Sequence, residues 1–288
     1  TTDANDLSLI YQFANNIRYR EHDNASCVHG IIEFSNHCAR DCWYCGVRCS
    51  RDIQRYRMDV QQIVAVAKDA VDKLGFQAFV LQSGEDFDYD EGKLIEIVSE
   101  LKKLGVLVFL SIGARSKELY QKLYDAGARA VLLRFETSNE EIFAKLRPGT
   151  KLEDRLQLIR DIKEMGFILA TGFLVGLPNE KHQDIVNNIR LTKVLAPQMY
   201  SFGPLIPTKD TPLANQPKID KDLILKIIAA TRILAPDSNI LVTTALETLD
   251  QNAKREGLLA GANSLMLNIT PQQFKELYTI YDDRVGVS

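Results

Sequence analysis

Val60-Gln61-Gln62-Ile63-Val64-Ala65-Val66-Ala67-Lys68-Asp69-Ala70-Val71-Asp72-Lys73-Leu74-Gly75-Phe76-Gln77-Ala78-Phe79-Val80-Leu81 holds one whole repeat of the pattern that runs through the chain. From Val60 to Leu74, Ile63, Val64, Ala67, Val71 and Leu74 fall on one face of a helix. Gly75 follows where a left-handed C-terminal residue is expected, and Ala78 to Leu81 is a short apolar strand. The unit recurs on both sides. Strands are expected at Ile31–Phe34, Ala78–Leu81, Val106–Leu110, Ala130–Leu133, Ile168–Val175, Met199–Phe202, Ile240–Thr243 and Ser264–Leu267. Helices are expected at Leu94–Leu104, Lys117–Ala126, Leu152–Met165, Asp184–Leu195, Asp220–Leu234 and Gln251–Ala260, with Gly105, Gly127, Gly166 and Gly261 behind four of them. Eight strand–helix units predict an α/β fold, a complete (β/α)8 TIM-type barrel, preceded by a helical segment from Leu7 to Arg20. No linker interrupts the alternation, so 1–288 reads as a single domain with 1–28 as its N-terminal helical extension.

A length of 288 residues, 45% of them hydrophobic and 25% charged, fits a soluble globular protein. A net charge of −3 gives no reason to expect a nucleic-acid partner. Polar breaks such as Gln82-Ser83 stop every apolar run short of a membrane span, and no signal peptide is evident. The chain opens at Thr1-Thr2 without a methionine, which suggests trimming or processing. Three of the five cysteines sit in one motif, which is no disulfide framework; a reducing, cytoplasmic and anaerobic setting is expected.

That motif follows the first strand: Asn36-His37-Cys38-Ala39-Arg40-Asp41-Cys42-Trp43-Tyr44-Cys45-Gly46. Cys38, Cys42 and Cys45 can hold three irons of a [4Fe–4S] cluster and leave one iron open. Structural zinc is the other reading, with Cys49 or His37 as the fourth ligand. On a barrel the chemistry belongs at the C-terminal strand ends, and polar residues collect there. The second strand ends in Gln82-Ser83-Gly84-Glu85-Asp86, the third in Ser111-Ile112-Gly113, the fourth in Arg134-Phe135-Glu136-Thr137. Gly84-Glu85-Asp86 offers a close backbone approach with acceptors, or is an ordinary βα turn. Glu136 can accept from hydroxyls or an ammonium and Arg155 can fork onto a carboxylate; a surface ion pair is the alternative. Thr243 and Thr244 offer hydroxyls to the cavity, while Met199 and Tyr200 either line it or belong to the barrel core.

The three-cysteine spacing resembles that of the radical S-adenosylmethionine (SAM) superfamily. The resemblance implies that the open iron grips the amino and carboxylate groups of SAM, whose reductive cleavage releases a 5′-deoxyadenosyl radical. It implies Cys38, Cys42 and Cys45 as cluster ligands and places Tyr44 beside the adenine. SAM would also meet Gly84, Glu85, Asp86, Ser111, Arg134, Glu136 and Arg155, with Leu174, in the run Gly172–Pro178, on the adenine. A ferredoxin or flavodoxin would be the electron donor. No residue is singled out as catalytic.

Further runs narrow the resemblance, among them Arg55-Tyr56-Arg57-Met58, Leu132-Leu133-Arg134-Phe135-Glu136-Thr137, Lys145-Leu146-Arg147-Pro148, Asp210-Thr211-Pro212-Leu213-Ala214-Asn215 and Thr231-Arg232-Ile233-Leu234-Ala235-Pro236-Asp237-Ser238-Asn239. Together they resemble the HydE family of [FeFe]-hydrogenase maturases over nearly the whole chain. This implies a small-molecule or organometallic substrate, an iron–carbonyl–cyanide–cysteine precursor, in a cavity lined by Met199, Thr243 and Thr244. Two places depart from that family: Phe109 and Ala130 stand where it has a threonine and an arginine. The accessory cysteines that some members of that family carry near the C-terminus have no counterpart here, since no cysteine follows Cys49. Cys49 matches a cysteine of the methylornithine synthases (PylB), close relatives, so a mutase that rearranges an amino acid is a second expectation. A non-enzymatic iron–sulfur or zinc scaffold is a third. Biotin synthases are more distant cousins.

Overall fold

The structure is a computed structural model that describes residues 3–284. Its strands, in chain order, are β1 (Cys27–Ser35), β2 (Ala78–Ser83), β3 (Leu107–Ser111), β4 (Ala130–Leu132), β5 (Ile168–Thr171), β6 (Leu174–Val175), β7 (Met199–Tyr200), β8 (Gly203–Pro204), β9 (Asn239–Val242) and β10 (Ser264–Asn268). Eight of them close a barrel in the order β1-β10-β9-β7-β5-β4-β3-β2, every neighbouring pair parallel. The complete α/β barrel expected from the repeat is therefore present. The helices are α1 (Ala4–His22), α2 (Val60–Leu74), α3 (Glu91–Lys103), α4 (Lys117–Ala126), α5 (Glu140–Leu146), α6 (Leu152–Glu164), α7 (His182–Leu195), α8 (Lys221–Leu234), α9 (Thr244–Leu249), α10 (Ala253–Leu259) and α11 (Gln272–Lys275).

Local chemistry explains the boundaries. Asp59 accepts the Gln62 N–H at 2.7 Å while the Gln62 side-chain oxygen accepts the Asp59 N–H at 3.0 Å, a reciprocal cap that starts α2. Gly75 ends that helix at φ 68°. The run expected as one strand from Ile168 to Val175 breaks at Gly172, where a Cβ would lie 2.0 Å from the Ser201 carbonyl oxygen. The chain leaves the barrel there, and Leu174–Val175 pairs instead with Gly203–Pro204 in a separate two-stranded sheet. The first strand starts at Cys27, so the helical extension stops at His22 and its last two expected residues already belong to β1.

Two apolar layers follow from the strand period. Ile32 and Phe34 face the helices and join the large outer core, whereas Ile31 faces the barrel axis. The axial layer takes one residue from each barrel strand: Ile31, Val80, Phe109, Ala130, Ala170, Met199, Leu241 and Met266. The large Phe109 and small Ala130, paired across β3 and β4, fill this layer together. The two departures noted in the sequence are thus packed positions beneath the barrel mouth.

Candidate active site

The chain crosses the barrel mouth between β1 and α2, and a few polar side chains fix its path. Buried Asn36 donates to the Gln54 and Leu277 carbonyls at 2.8 Å each and accepts the Tyr56 N–H at 2.7 Å. Arg55 donates to the carbonyls of Asn36, Val47, Arg48 and Arg51 at 2.6 to 3.0 Å, so one guanidinium fills the centre of the loop. Backbone donors tie its cysteine segment outward: Ala39 N–H to Glu85 O at 2.9 Å, Trp43 N–H to Leu146 O at 2.9 Å, and Gly46 N–H to Ile280 O at 2.8 Å. Cys38, Cys42 and Cys45 all line the cavity beneath, and burial pushes all three thiols above their usual range.

Among the described residues no three His, Cys, Asp or Glu side chains converge as a single metal ion requires. A cluster makes a different demand, because each thiolate takes its own iron. Three thiols on one loop around one cavity fit that demand. Cys49, exposed and outside the cavity lining, does not complete a zinc site with them.

Two buried carboxylates face the cysteines from the strand ends. Glu85 Oε2 accepts Arg40 Nε at 2.6 Å; Oε1 accepts Arg147 Nη2 at 2.7 Å and lies 3.5 Å from Arg155 Nη1. Burial alone would raise its pKa, but the surrounding guanidiniums outweigh it and bring the carboxyl down to about 2. Glycines make room on both sides. A Cβ on Gly84 would lie 2.2 Å from His37 O and 2.7 Å from Cys38 Cβ; one on Gly113 would lie 2.1 Å from Glu85 Cγ. Glu136, 4% exposed, sits at φ 71°, a left-handed conformation that costs about 1–3 kcal/mol for a residue with a side chain. Its backbone is clamped by Glu136 N–H to Gly172 O at 3.2 Å and Leu174 N–H to Glu136 O at 2.8 Å. Its Oε1 lies 3.9 Å from Arg155 Nη2 and its Oε2 3.5 Å from Arg134 Nε. Oε2 is buried without a hydrogen-bond partner, an acceptor aimed at something the protein does not supply.

The cavity continues down to Ile31, Leu241 and Met266 of the axial layer. Glu33, the next inward residue of β1, is buried with Arg284: Arg284 Nη2 donates to Oε1 at 2.5 Å, and Asn268 Nδ2 donates to Oε2 at 2.9 Å. Burial raises the Glu33 pKa, and Arg284 and Asn268 oppose the rise. The segment carrying Arg284 walls one side, with Tyr278, Ile280 and Tyr281 in the lining and the Tyr281 and Thr244 hydroxyls 2.7 Å apart.

The structure brings together in one cavity Cys38, Cys42, Cys45, Tyr44, Gly84, Glu85, Ser111, Arg134, Glu136, Arg155, Thr243 and Thr244. Three expected residues lie elsewhere. Asp86 turns away, its carboxylate taken by Ser35 Oγ at 2.6 Å and by Arg57 Nε and Nη2 at 2.7 Å each. Leu174 packs behind Tyr44 in an apolar cluster with Ile142, Leu146, Leu177, Leu205 and Leu213. Met199 belongs to the axial layer, the core alternative weighed for it, and is not in the lining. Arg40, Arg147, Glu33, Tyr281 and Arg284 were not expected. The signs in the sequence were Arg40 inside the cysteine motif, Arg147 inside the run Lys145-Leu146-Arg147-Pro148, and a charge, Glu33, within the apolar run Ile31–Phe34.

The profile of the Radical SAM superfamily matches residues 32–192, and that of the Biotin and Thiamin Synthesis associated domain matches residues 201–284. The [FeFe] hydrogenase maturase subunit HydE of Thermotoga maritima is 42% identical over 279 residues, 96% of this chain and 80% of that one. The 3-methylornithine synthase of Methanosarcina acetivorans is 30% identical over 273 residues, 94% of this chain and 77% of that one. Among solved structures, methylornithine synthase (PylB) superposes with a TM-score of 0.83 at 26% identity, covering 92% of this chain and 79% of that one. HydG, a maturase of the [FeFe]-hydrogenase, reaches 0.81 at 20% identity, covering 92% of this chain and 62% of that one, a likeness of fold. With its cysteine loop set at the mouth of a closed parallel barrel, the chain belongs to the radical SAM superfamily, enzymes that work with a [4Fe–4S] cluster and S-adenosylmethionine.

Proposed function

We propose that this chain is a HydE-type maturase that acts on a small sulfur- and iron-containing precursor during assembly of an [FeFe]-hydrogenase cofactor. The observation that carries this reading is 42% identity to HydE across almost the whole chain, against 30% to a methylornithine synthase. Cys38, Cys42 and Cys45 would hold the cluster. When bound and reduced, the cluster supplies the electron that splits SAM to a 5′-deoxyadenosyl radical.

The protein's part is to bind, orient and exclude water. Glu136 Oε2, which has the Arg134 ion pair at 3.5 Å but no hydrogen-bond donor, accepts from the methionine ammonium or a ribose hydroxyl. Arg155 and Arg134 stand beside it with guanidiniums for the methionine carboxylate, and Ser111 lines the same wall. Gly84 keeps the backbone open next to Cys38, and Tyr44 offers its ring to the adenine. Deeper in, Gln82, Ser201, Thr243, Thr244 and Tyr281 supply neutral hydrogen-bonding groups above an apolar floor. Such a lining suits a compact complex with cyanide and cysteine groups. A low-potential ferredoxin or flavodoxin in a reducing cytoplasm is the proposed electron source, and no helix among the described residues is long and apolar enough to cross a membrane.

One observation favours a second reading. Glu33 and Arg284 put opposite charges in the deep cavity, where they would meet the ammonium and carboxylate of an amino acid, as a PylB-like mutase needs. The deciding experiment supplies reduced, cluster-loaded protein and SAM with either a cysteine-ligated iron dicarbonyl cyanide complex or lysine. Products are followed by mass spectrometry. Conversion of the iron complex alone supports the maturase reading; a rearranged amino acid with the iron complex untouched overturns it.

A further inference from the structure

Arg147 lies outside the cysteine motif, yet it reaches both ends of the cysteine segment. It caps the C-terminus of α5 and is 6% exposed. Its Nη1 donates to the Tyr44 hydroxyl at 3.0 Å and its Nη2 to Glu85 Oε1 at 2.7 Å. Tyr44 immediately precedes Cys45. Glu85, for its part, accepts the Ala39 N–H on its main-chain oxygen at 2.9 Å and Arg40 Nε on Oε2 at 2.6 Å, and these two residues follow Cys38. A single guanidinium thus joins the segment after the first cysteine to the residue before the third, through one carboxylate. Leu146, next in the chain, adds the bond from Trp43 N–H at 2.9 Å.

Charge is the second observation. Arg40, Arg134, Arg147 and Arg155 line the cavity against Glu85 and Glu136, four cations to two anions, which leaves two positive charges on that wall. Glu85 keeps Arg40 and Arg155 even without Arg147, so Arg147 is not needed to neutralise it. Arg147 Nε is buried with no partner, so part of the guanidinium is uncompensated by the protein. A cation held in a poorly solvated wall favours the more negative state of whatever sits beside it.

We propose that Arg147 is a positioning residue that fixes Tyr44 and Glu85 around the three cysteines and makes the seated cluster easier to reduce. The electron comes from an external low-potential donor, and no bond forms or breaks at Arg147. The inference rests on the functional reading above for the presence of a cluster, but not on the substrate or on SAM turnover.

The test is an anaerobic redox titration of cluster-loaded native protein, Arg147→Met, Arg147→Lys and Tyr44→Phe, with iron and sulfide content measured in parallel. The expected result is a more negative midpoint potential for Arg147→Met, and near-native potentials for Arg147→Lys and Tyr44→Phe, which leave the charge in place. An unchanged potential in an iron-replete Arg147→Met variant overturns the proposal. Where Arg147→Met fails to hold iron, Arg147→Lys decides. Retention of iron at a near-native potential supports the charge; loss of iron from both, with secondary structure intact, overturns it. The titration needs no SAM cleavage, so a native protein that loads its cluster but does not cleave SAM contradicts the functional reading alone.

Discussion

Glu136 combines two unfavourable features, a left-handed backbone and a buried carboxylate oxygen without a donor. Both are understandable if the residue is held ready for a ligand. Glu136→Gln keeps the shape and the backbone clamp and removes the charge. It is expected to retain the cluster but to weaken SAM binding by about 1.5–3 kcal/mol, the usual worth of a charge-assisted hydrogen bond. Loss of the SAM-dependent change in the reduced cluster's electron paramagnetic resonance signal would report it; native SAM affinity in the variant would show that Glu136 faces elsewhere. At this scale the sequence was most legible where spacing is local. Cys38, Cys42 and Cys45 needed no knowledge of the fold. Arg147 and Arg284 reach the cavity only through tertiary packing, 102 and 239 residues after Cys45; Arg147 stands in the run Lys145-Leu146-Arg147-Pro148, but nothing in that run tells that it meets the cysteine loop. Asp86 reads like its neighbour Glu85, yet Ser35 and Arg57 claim it, and neither partner is visible from the motif.

Among the elements, the long helices were legible from their apolar faces, and α5 and α9 were not. At seven and six residues, they span two turns or less and show no period. The turn after β6 offers a test of a different kind. Glu180 accepts the Gly176 N–H at 2.7 Å and the Leu177 N–H at 3.4 Å, and its Oε1 is buried without a partner. Burial pushes its pKa from the ordinary 4.5 up to about 7, against the opposing pull of those two backbone donors. Between these values the folded chain holds a proton that the unfolded chain has released. The stabilisation is therefore full below pH 4.5, declines as pH rises through this window, and is gone above about 7. Glu180→Gln mimics the protonated form. Its melting temperature relative to native should rise as pH goes from 5 to 7 and then level off. A difference that stays flat over that range would contradict the assignment.

For the whole molecule, the repeat of strand, polar strand end and helix was enough to read a closed barrel and the end at which its polar-lined cavity opens. The segment from Leu277 to Arg284 was not legible. Its role depends on contacts made far away along the chain, with Asn36, Gly46, Thr244 and Glu33. Gly46 shows how close the fit is, since a Cβ there would lie 1.9 Å from the Thr279 carbonyl oxygen. The barrel thus supplies a floor, the cysteine loop a roof, and this segment a wall, and the enclosed space has its cations and orphan acceptor where SAM would bind. On the proposed reading, this assembly cleaves SAM by means of the three cysteines. The most direct measurement is 5′-deoxyadenosine formed by anaerobically reconstituted, dithionite-reduced protein given SAM and the iron complex, set against Cys42→Ala treated in the same way. Deoxyadenosine from the native protein and none above background from Cys42→Ala is the predicted result; equal yields from both, or SAM bound by neither, would contradict it.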